Sequence, residues 1–209
     1  MSRARLEESL AHYRDLAPRY DQATRLIDRV RERAIDALAL QPGDIVVDAG
    51  CGTGWCLPML AARVAPSGRI LAFDPSPEML AIARERAVAA PVELLLAAAH
   101  DVKLPRAADA ILFSYTHDVM QSAAALDHLF AQLKPGARVA ATSTKLYAPW
   151  LWPANAWLRW RHRGYITDFD GFAAPWSLLA TRLDGFQVQA SPWSQHYVAS
   201  GRVRAPQRA

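Results

Sequence analysis

The chain has 209 residues, 52% hydrophobic and 21% charged, with 24 Lys plus Arg against 20 Asp plus Glu and a formal charge of +4. That composition excludes a disordered or fibrous protein, and the length is enough to bury a sizeable core. No apolar run approaches the ~18 residues of a membrane span, the charged N-terminus MSRARLEESLAHYRDL has no secretory h-region, and two cysteines, Cys51 and Cys56, fit a reducing cytosol. The modest positive charge does not by itself demand nucleic acid. More unusual are seven Trp, four of them between Trp150 and Trp160.

Residues 3–40 read as two helices. Leu6, Leu10, Tyr13 and Ala17 recur at helical spacing, Pro18 interrupts, and Leu26, Val30, Ala34 and Leu38 resume the stripe. After Gln41-Pro42-Gly43, the β-branched run at residues 44–49 reads as a buried parallel strand. Leu57, Leu60, Ala61 and Val64 mark a helix, Pro66-Ser67-Gly68 a turn, and residues 69–74 a second strand. A helix over residues 77–90, a third strand at 92–97 and a fourth at 110–115 follow. The next helix carries Leu126, Leu129, Phe130 and Leu133 and stops at Lys134-Pro135-Gly136 before a fifth strand at 138–144. This alternation predicts an α/β fold with a parallel sheet covered on both faces. Residues 147–176 are aromatic and Pro-rich, without a strand pattern. A short helix near 177–183, a turn at Asp184-Gly185 and strands at 186–190 and 195–200 close the chain. Too few residues separate the last two strands for a crossover helix, so they should form an antiparallel hairpin. One domain over 1–209 with one insertion is expected.

The chemistry concentrates in VVDAGCGTG, residues 46–54, where the first strand meets a helix. Glycines at 50, 52 and 54 let the backbone turn tightly and approach a ligand. Asp74 ends the next strand, where a carboxylate reaches ribose hydroxyls across the switch-point crevice. The dinucleotide fingerprint fails, because Trp55 stands where its third glycine belongs. No Tyr is followed four residues later by Lys, and no phosphate loop of the G-x-x-x-x-G-K-[ST] type is present.

Asp48-Ala49-Gly50-Cys51-Gly52-Thr53-Gly54 resembles motif I of class I S-adenosylmethionine-dependent methyltransferases. The resemblance runs from about Tyr13 to the C-terminus. YDQAT at Tyr20–Thr24 looks like the N-terminal element that closes over the cofactor, so residues 1–40 are expected to form a lid. FDPSPEMLAIAR at 73–84 is similar to the ribose-binding strand end and the helix after it. LPRAADAILFSYTHDVM at 104–120 looks like the Leu-Pro loop and fourth strand, and LKPGARVA at 133–140 resembles the turn into the fifth. The resemblance implies a doubly wound, Rossmann-like, seven-stranded and mostly parallel sheet with helices on both faces and an antiparallel C-terminal hairpin. It also implies S-adenosyl-L-methionine as cofactor, held by Tyr20, Asp48, Gly50, Gly52, Gly54, Asp74, Pro75, Met79 and Ser114. The family's Gly-Asp-Ala-x-x-Leu-Pro segment reads here Ala99-His100-Asp101-Val102-Lys103-Leu104-Pro105. Either His100 or Asp101 is therefore a candidate for the adenine amine. No metal is implied.

A sulfonium methyl is already activated, so transfer is an in-line displacement to which the protein contributes proximity and orientation. Asp48 orients the glycine loop or the methionine amino group, or is structural. His117, after the fourth strand, is the histidine placed to act as a base, with packing as its alternative. Tyr13 and Tyr20 can cover the sulfonium or pack a helix. Cys51 and Cys56 read as small apolar fillers. Acceptor-pocket candidates are Tyr13, Tyr115, Tyr147, Trp150, Trp157 and Tyr165. Packing over the sheet edge comes first among the alternatives for the Trp- and Arg-rich stretch at 149–165, ahead of a membrane surface and then a dimer contact.

The expected function is methyl transfer to an O or N atom of a small-molecule acceptor by a cytoplasmic monomer or homodimer. A peripheral-membrane phospholipid or quinone methyltransferase is the alternative, and a non-catalytic S-adenosylmethionine-binding regulator stands in another class. No nucleic-acid partner is expected, since Ser114-Tyr115-Thr116-His117 replaces any Asn-Pro-Pro-Tyr base-flipping motif.

Overall fold

A computed structural model describes residues 20–86, 88–161 and 171–204. Helix α1 (Tyr20–Thr24), a 3-10 turn and helix α2 (Asp28–Ala37) lead into strand β1 (Ile45–Ala49). Helix α3 (Leu57–Val64), strand β2 (Arg69–Asp74), helix α4 (Pro77–Arg84) and strand β3 (Val92–Leu96) follow. Strand β4 (Ala108–Ser114) is succeeded by helices α5 (His117–Met120) and α6 (Ala123–Phe130) and by strand β5 (Leu133–Thr144). Helix α7 (Trp152–Arg161), helix α8 (Ser177–Ala180), strand β6 (Leu183–Ala190) and strand β7 (His196–Val203) complete the described chain.

The strands form one sheet in the order β3-β2-β1-β4-β5-β7-β6. The first five pair in parallel, and β7 runs antiparallel between β5 and β6. Alternation with a period of two sorts each central strand onto two cores. In β2, Ile70 and Ala72 face α2, α3 and α4, whereas Leu71 and Phe73 face the side of α5, α6 and α8. In β4, Ala110 and Leu112 take the first side, and Ile111 and Phe113 the second. A central strand buried on both faces must be apolar throughout, which is why its sequence reads as a continuous hydrophobic run.

Several boundaries move for identifiable reasons. Helix α4 ends at Arg84, well before residue 90, and Arg86 turns its guanidinium onto the Thr53 carbonyl and the Asp21 carboxylate. Leu133 leaves its helix to pair with Ala108, so Lys134-Pro135-Gly136 lies within an irregular start of β5. The expected turn at Asp184-Gly185 is a bulge inside β6, with Gly185 at φ +60° and the register shifting between Asp184 and Gln187. The hairpin turn itself lies between Ala190 and His196, where it was expected. The first expected helix, with Tyr13, lies outside the described residues.

Gly54 shows how the glycine loop is built into this packing. Its φ is +75°, and a Cβ there would meet Leu57 Cδ1 at 2.7 Å and the backbone Cα of Ala83 at 3.1 Å. Gly54→Val is expected to cost about 3 kcal/mol, combining overpacking with a left-handed backbone. A lowered denaturant midpoint at unchanged m-value measures it; wild-type stability would show that the loop can yield.

Candidate functional site

Strands β1, β2 and β4 end at one sheet edge, and their parallel register sets the loops after them side by side. After β1 the chain turns through Gly50 (φ +64°), Gly52 (φ +54°) and Gly54. The Cys51 amide donates to the Phe73 carbonyl at 2.9 Å, tying this loop to the end of β2. Asp74 tightens the tie. Its Oδ2 accepts from the Gly52 amide and its Oδ1 from the Ser76 amide, both at 2.9 Å.

Above this junction lies a cleft open to solvent. Its wall takes in Tyr20, Gly50, Gly52, Asp74, Pro75 and Met79. His100, Ser114 and Tyr115 also line it. Asp101 is exposed, its Oδ2 3.1 Å from Nε2 of His100. Of the two adenine candidates, His100 is thus the one on the wall. Gly54 faces the helix packing described above, away from the wall. Tyr147 bonds through its backbone to the Asn155 side chain, and Trp150 and Trp157 are exposed away from the cleft. Tyr165 and Tyr13 lie outside the described residues. The His117 ring lies 3.8 Å from the Phe172 ring, centroid to centroid, and is not part of the wall.

Beneath the loop a buried acid and a buried guanidinium lie near each other, a juxtaposition that sequence spacing did not expose. Asp48, at the end region of β1, is 1% exposed, and its Oδ2 accepts no hydrogen bond from any described residue. Burial raises its carboxyl to about 7, opposed by the nearby Arg31 guanidinium and reinforced by Asp74. Asp74 is itself pushed up to about 6 by burial, against the pull of the Ser76 and Gly52 amides. Arg31, from α2, is buried, and its guanidinium lies 5.1 Å from the Trp55 ring centroid and 5.6 Å from that of Tyr115. It donates to Thr24 Oγ1 and Asp28 Oδ1. An Arg inside an otherwise apolar helical stripe was the available signal, and the stripe masked it.

Tyr115, expected near the acceptor, has a strained backbone and a distant partner that only the fold reveals. It is a non-glycine residue at φ +60°, a strained conformation of the sort that clusters at functional sites. Its hydroxyl lies 3.0 Å from Nδ1 of His196, which arrives from β7, 81 positions later. Burial drives the Tyr115 phenol well above its ordinary pKa, with Arg31 opposing. Burial likewise keeps the Cys51 and Cys56 thiols protonated.

Comparison with known proteins fits this geometry. A methyltransferase-domain family model matches residues 46–136, the span from β1 into β5. The 2-phytyl-1,4-naphtoquinone methyltransferase of Thermosynechococcus vestitus is 31% identical over 77% of this chain and 78% of its own length. The demethylmenaquinone methyltransferase of Thermus thermophilus is 33% identical over 61% of each chain. A solved S-adenosylmethionine-dependent methyltransferase from Aquifex aeolicus superposes with a TM-score of 0.63 at 22% identity, covering 91% of this chain and 98% of the other. The matches cover 31%, 56% and 61% of the length of three curated relatives, the Thermus protein among them. A doubly wound sheet, a glycine loop bonded to the acid that ends β2, and these relatives define the class. The chain belongs to the class I S-adenosylmethionine-dependent methyltransferases.

Proposed function

We propose that this protein transfers a methyl group from S-adenosylmethionine to a small, ring-bearing acceptor of the quinone type. The observation that carries the cofactor half is the cleft edge itself, where Asp74 grips the loop amide at Gly52. Two further features fit the same ligand. A Cβ built on Gly52 would meet nothing within 4 Å, so the loop leaves room for a ligand against its backbone. The buried Asp48 Oδ2 and the Arg31 guanidinium offer opposite charges for an ammonium and a carboxylate. Asp74 suits ribose hydroxyls, and His100 and Met79 suit the adenine. The acceptor half is supported by two relatives whose names specify naphthoquinone or menaquinone substrates.

When bound, the cofactor supplies an electrophilic methyl on sulfur. The protein's own residues bind, orient and exclude water, the terms that convert a bimolecular displacement into a near-unimolecular one. Helix α1 places Tyr20 at the cleft and is held there by Asp21, whose carboxylate accepts from Thr53 Oγ1 at 2.6 Å and pairs with Arg86. That clip fastens the lid element to the glycine loop. Tyr115, its phenol kept protonated by burial, lies at the wall where it can take an acceptor hydroxyl's proton only as its own O–H proton passes to Nδ1 of His196.

Calorimetry with S-adenosylmethionine and its demethylated product tests the cofactor half. Asp74→Ala is expected to weaken binding about 30-fold, near 2 kcal/mol, as a charged hydrogen-bond acceptor is lost. Unchanged affinity in that variant would sink the site assignment. Incubation with a naphthoquinol, read as a product heavier by one methylene, tests the acceptor half. Cofactor binding without turnover of any quinol or phenol would favour a non-catalytic binding protein instead.

A further inference from the structure

Most of the cleft wall belongs to the body of the fold: Gly50 and Gly52 from the loop after β1, Asp74 from β2, Met79 from α4. Tyr20 is different, because the segment that carries it has little apolar anchorage. The described side chains at 20–30 include none that is buried, and Leu26 is 96% exposed. A surface helix is ordinarily seated by an apolar stripe turned inward. Helix α1 and the 3-10 turn after it are not held in that way.

A closed ring of hydrogen bonds seats them instead. Thr53, buried in the glycine loop, donates its hydroxyl to Asp21 Oδ1 at 2.6 Å. Arg86 donates Nε to the Thr53 carbonyl at 3.0 Å and Nη2 to Asp21 Oδ2. Arg86 lies just past the end of α4, the helix whose Ala83 lies against Gly54 and whose Met79 lines the cleft. One guanidinium thus joins the lid element, the glycine loop and the helix after β2. None of Asp21, Thr53 and Arg86 lines the cleft. The ion pair is also reached by water, with the Arg86 and Asp21 side chains 27% and 38% exposed. A tie of that kind opens far more often than the whole fold does.

We propose that Arg86 is a positioning residue which, through Asp21, holds Tyr20 at the bound cofactor and so sets how long the cofactor stays. With the ring closed, α1 is fixed relative to Gly52 and the Tyr20 wall is in place. With it broken, no buried apolar residue among those described at 20–30 returns the segment, and the ligand leaves through the wider opening. Arg86 therefore acts on retention and not on the methyl that is transferred. The inference rests on the cleft being the cofactor site, and it adds a residue outside the cleft that governs exchange there.

Surface plasmon resonance on the full chain, with S-adenosylmethionine and its demethylated product as ligands, reads the dissociation rate. Arg86→Leu is expected to raise it about tenfold, with a smaller change in the association rate. Arg86→Lys keeps the pair with Asp21 but spans both acceptors poorly, so it should fall between that variant and wild type. Asp21→Asn should act in the same direction and add nothing in the Arg86→Leu background, since both break one ring. Hydrogen exchange of the unliganded protein gives a readout that needs no cofactor. Amides at 20–30 should exchange about tenfold faster in Arg86→Leu, and those of β1 and β2 at the wild-type rate. Should Arg86→Leu lower the melting temperature, the isosteric Asp21→Asn carries both measurements. A wild-type dissociation rate, unchanged lid exchange, or additive effects of the two variants overturns the proposal. A cofactor bound elsewhere would show as undiminished affinity in Asp74→Ala, and it would overturn retention together with the site assignment. Weakened binding in Asp74→Ala beside a wild-type dissociation rate in Arg86→Leu would leave the site standing and remove Arg86 alone.

Discussion

Gly52→Arg is expected to abolish S-adenosylmethionine binding, a loss of at least about a hundredfold, while leaving the protein folded. The argument is geometric. A Cβ at Gly52 meets no atom within 4 Å, so the new side chain has room to exist, and the room it takes is the cleft. Its backbone cost is that of one left-handed residue at φ +54°, about 1–2 kcal/mol. Gly54, two positions on, behaves in the opposite way, because its missing Cβ makes space for Leu57 and Ala83. The pair of variants therefore separates binding from folding within one loop. Calorimetry beside thermal melting reads both. Retained affinity in Gly52→Arg would remove the glycine loop from the site.

The second large effect is a pH dependence of both stability and cofactor affinity centred on Asp48. Its carboxyl holds a proton up to about pH 7 in the fold but gives it up near 3.9 when unfolded. Between those values the native state binds the extra proton, so stability falls as pH rises, by on the order of 4 kcal/mol in total. Above about pH 7 the slope from this group vanishes. Asp48→Asn is expected to flatten that decline. Binding of a cationic ligand group runs the other way, because it needs the carboxylate. Affinity should rise up to tenfold per pH unit on approach to pH 7 and level off above it. Below about pH 6 protonation of Asp74 steepens the loss. The demethylated product keeps the amino group and lacks the sulfonium, so an equal slope for both ligands would assign Asp48 to the amino end. Calorimetric titrations from pH 5.5 to pH 8 (about the range of His and carboxyl titration) measure it; a flat profile would show that Asp48 does not contact the ligand.

Much of this architecture was legible in the chain. Within the runs at residues 44–49, 69–74 and 110–115, Ile45–Val47, Ile70–Phe73 and Ala110–Phe113 are apolar at consecutive positions because each strand is covered on both faces, and the helices between them carry their own period. The glycine loop and Asp74 were legible because a ligand-binding turn has local backbone requirements, written in consecutive residues. The errors have the same explanation in reverse. Lys134-Pro135-Gly136 and Asp184-Gly185 are strong turn signals, yet in the fold one opens a strand and the other bulges inside one. Pairing with Ala108 and with β7 overrode the local preference there.

The site divides in the same manner. His117 looked poised by its place after β4, but its ring rests on Phe172, a residue 55 positions away that no pattern links to it. Arg31 and His196 escaped notice, the first hidden in a helical stripe, the second in a hairpin. What the sequence by itself determined was everything with a short period or a contiguous motif: the alternation of strands and helices, the cofactor loop and the acid across from it. What only the tertiary structure decided was which distant side chains meet, as Arg31 meets Trp55 and Tyr115, and which way a helix faces. The tryptophans of α7 were countable from the start. Their outward direction is set by Leu158 and Asn155 binding the helix to the rest of the chain, a long-range contact that composition cannot encode.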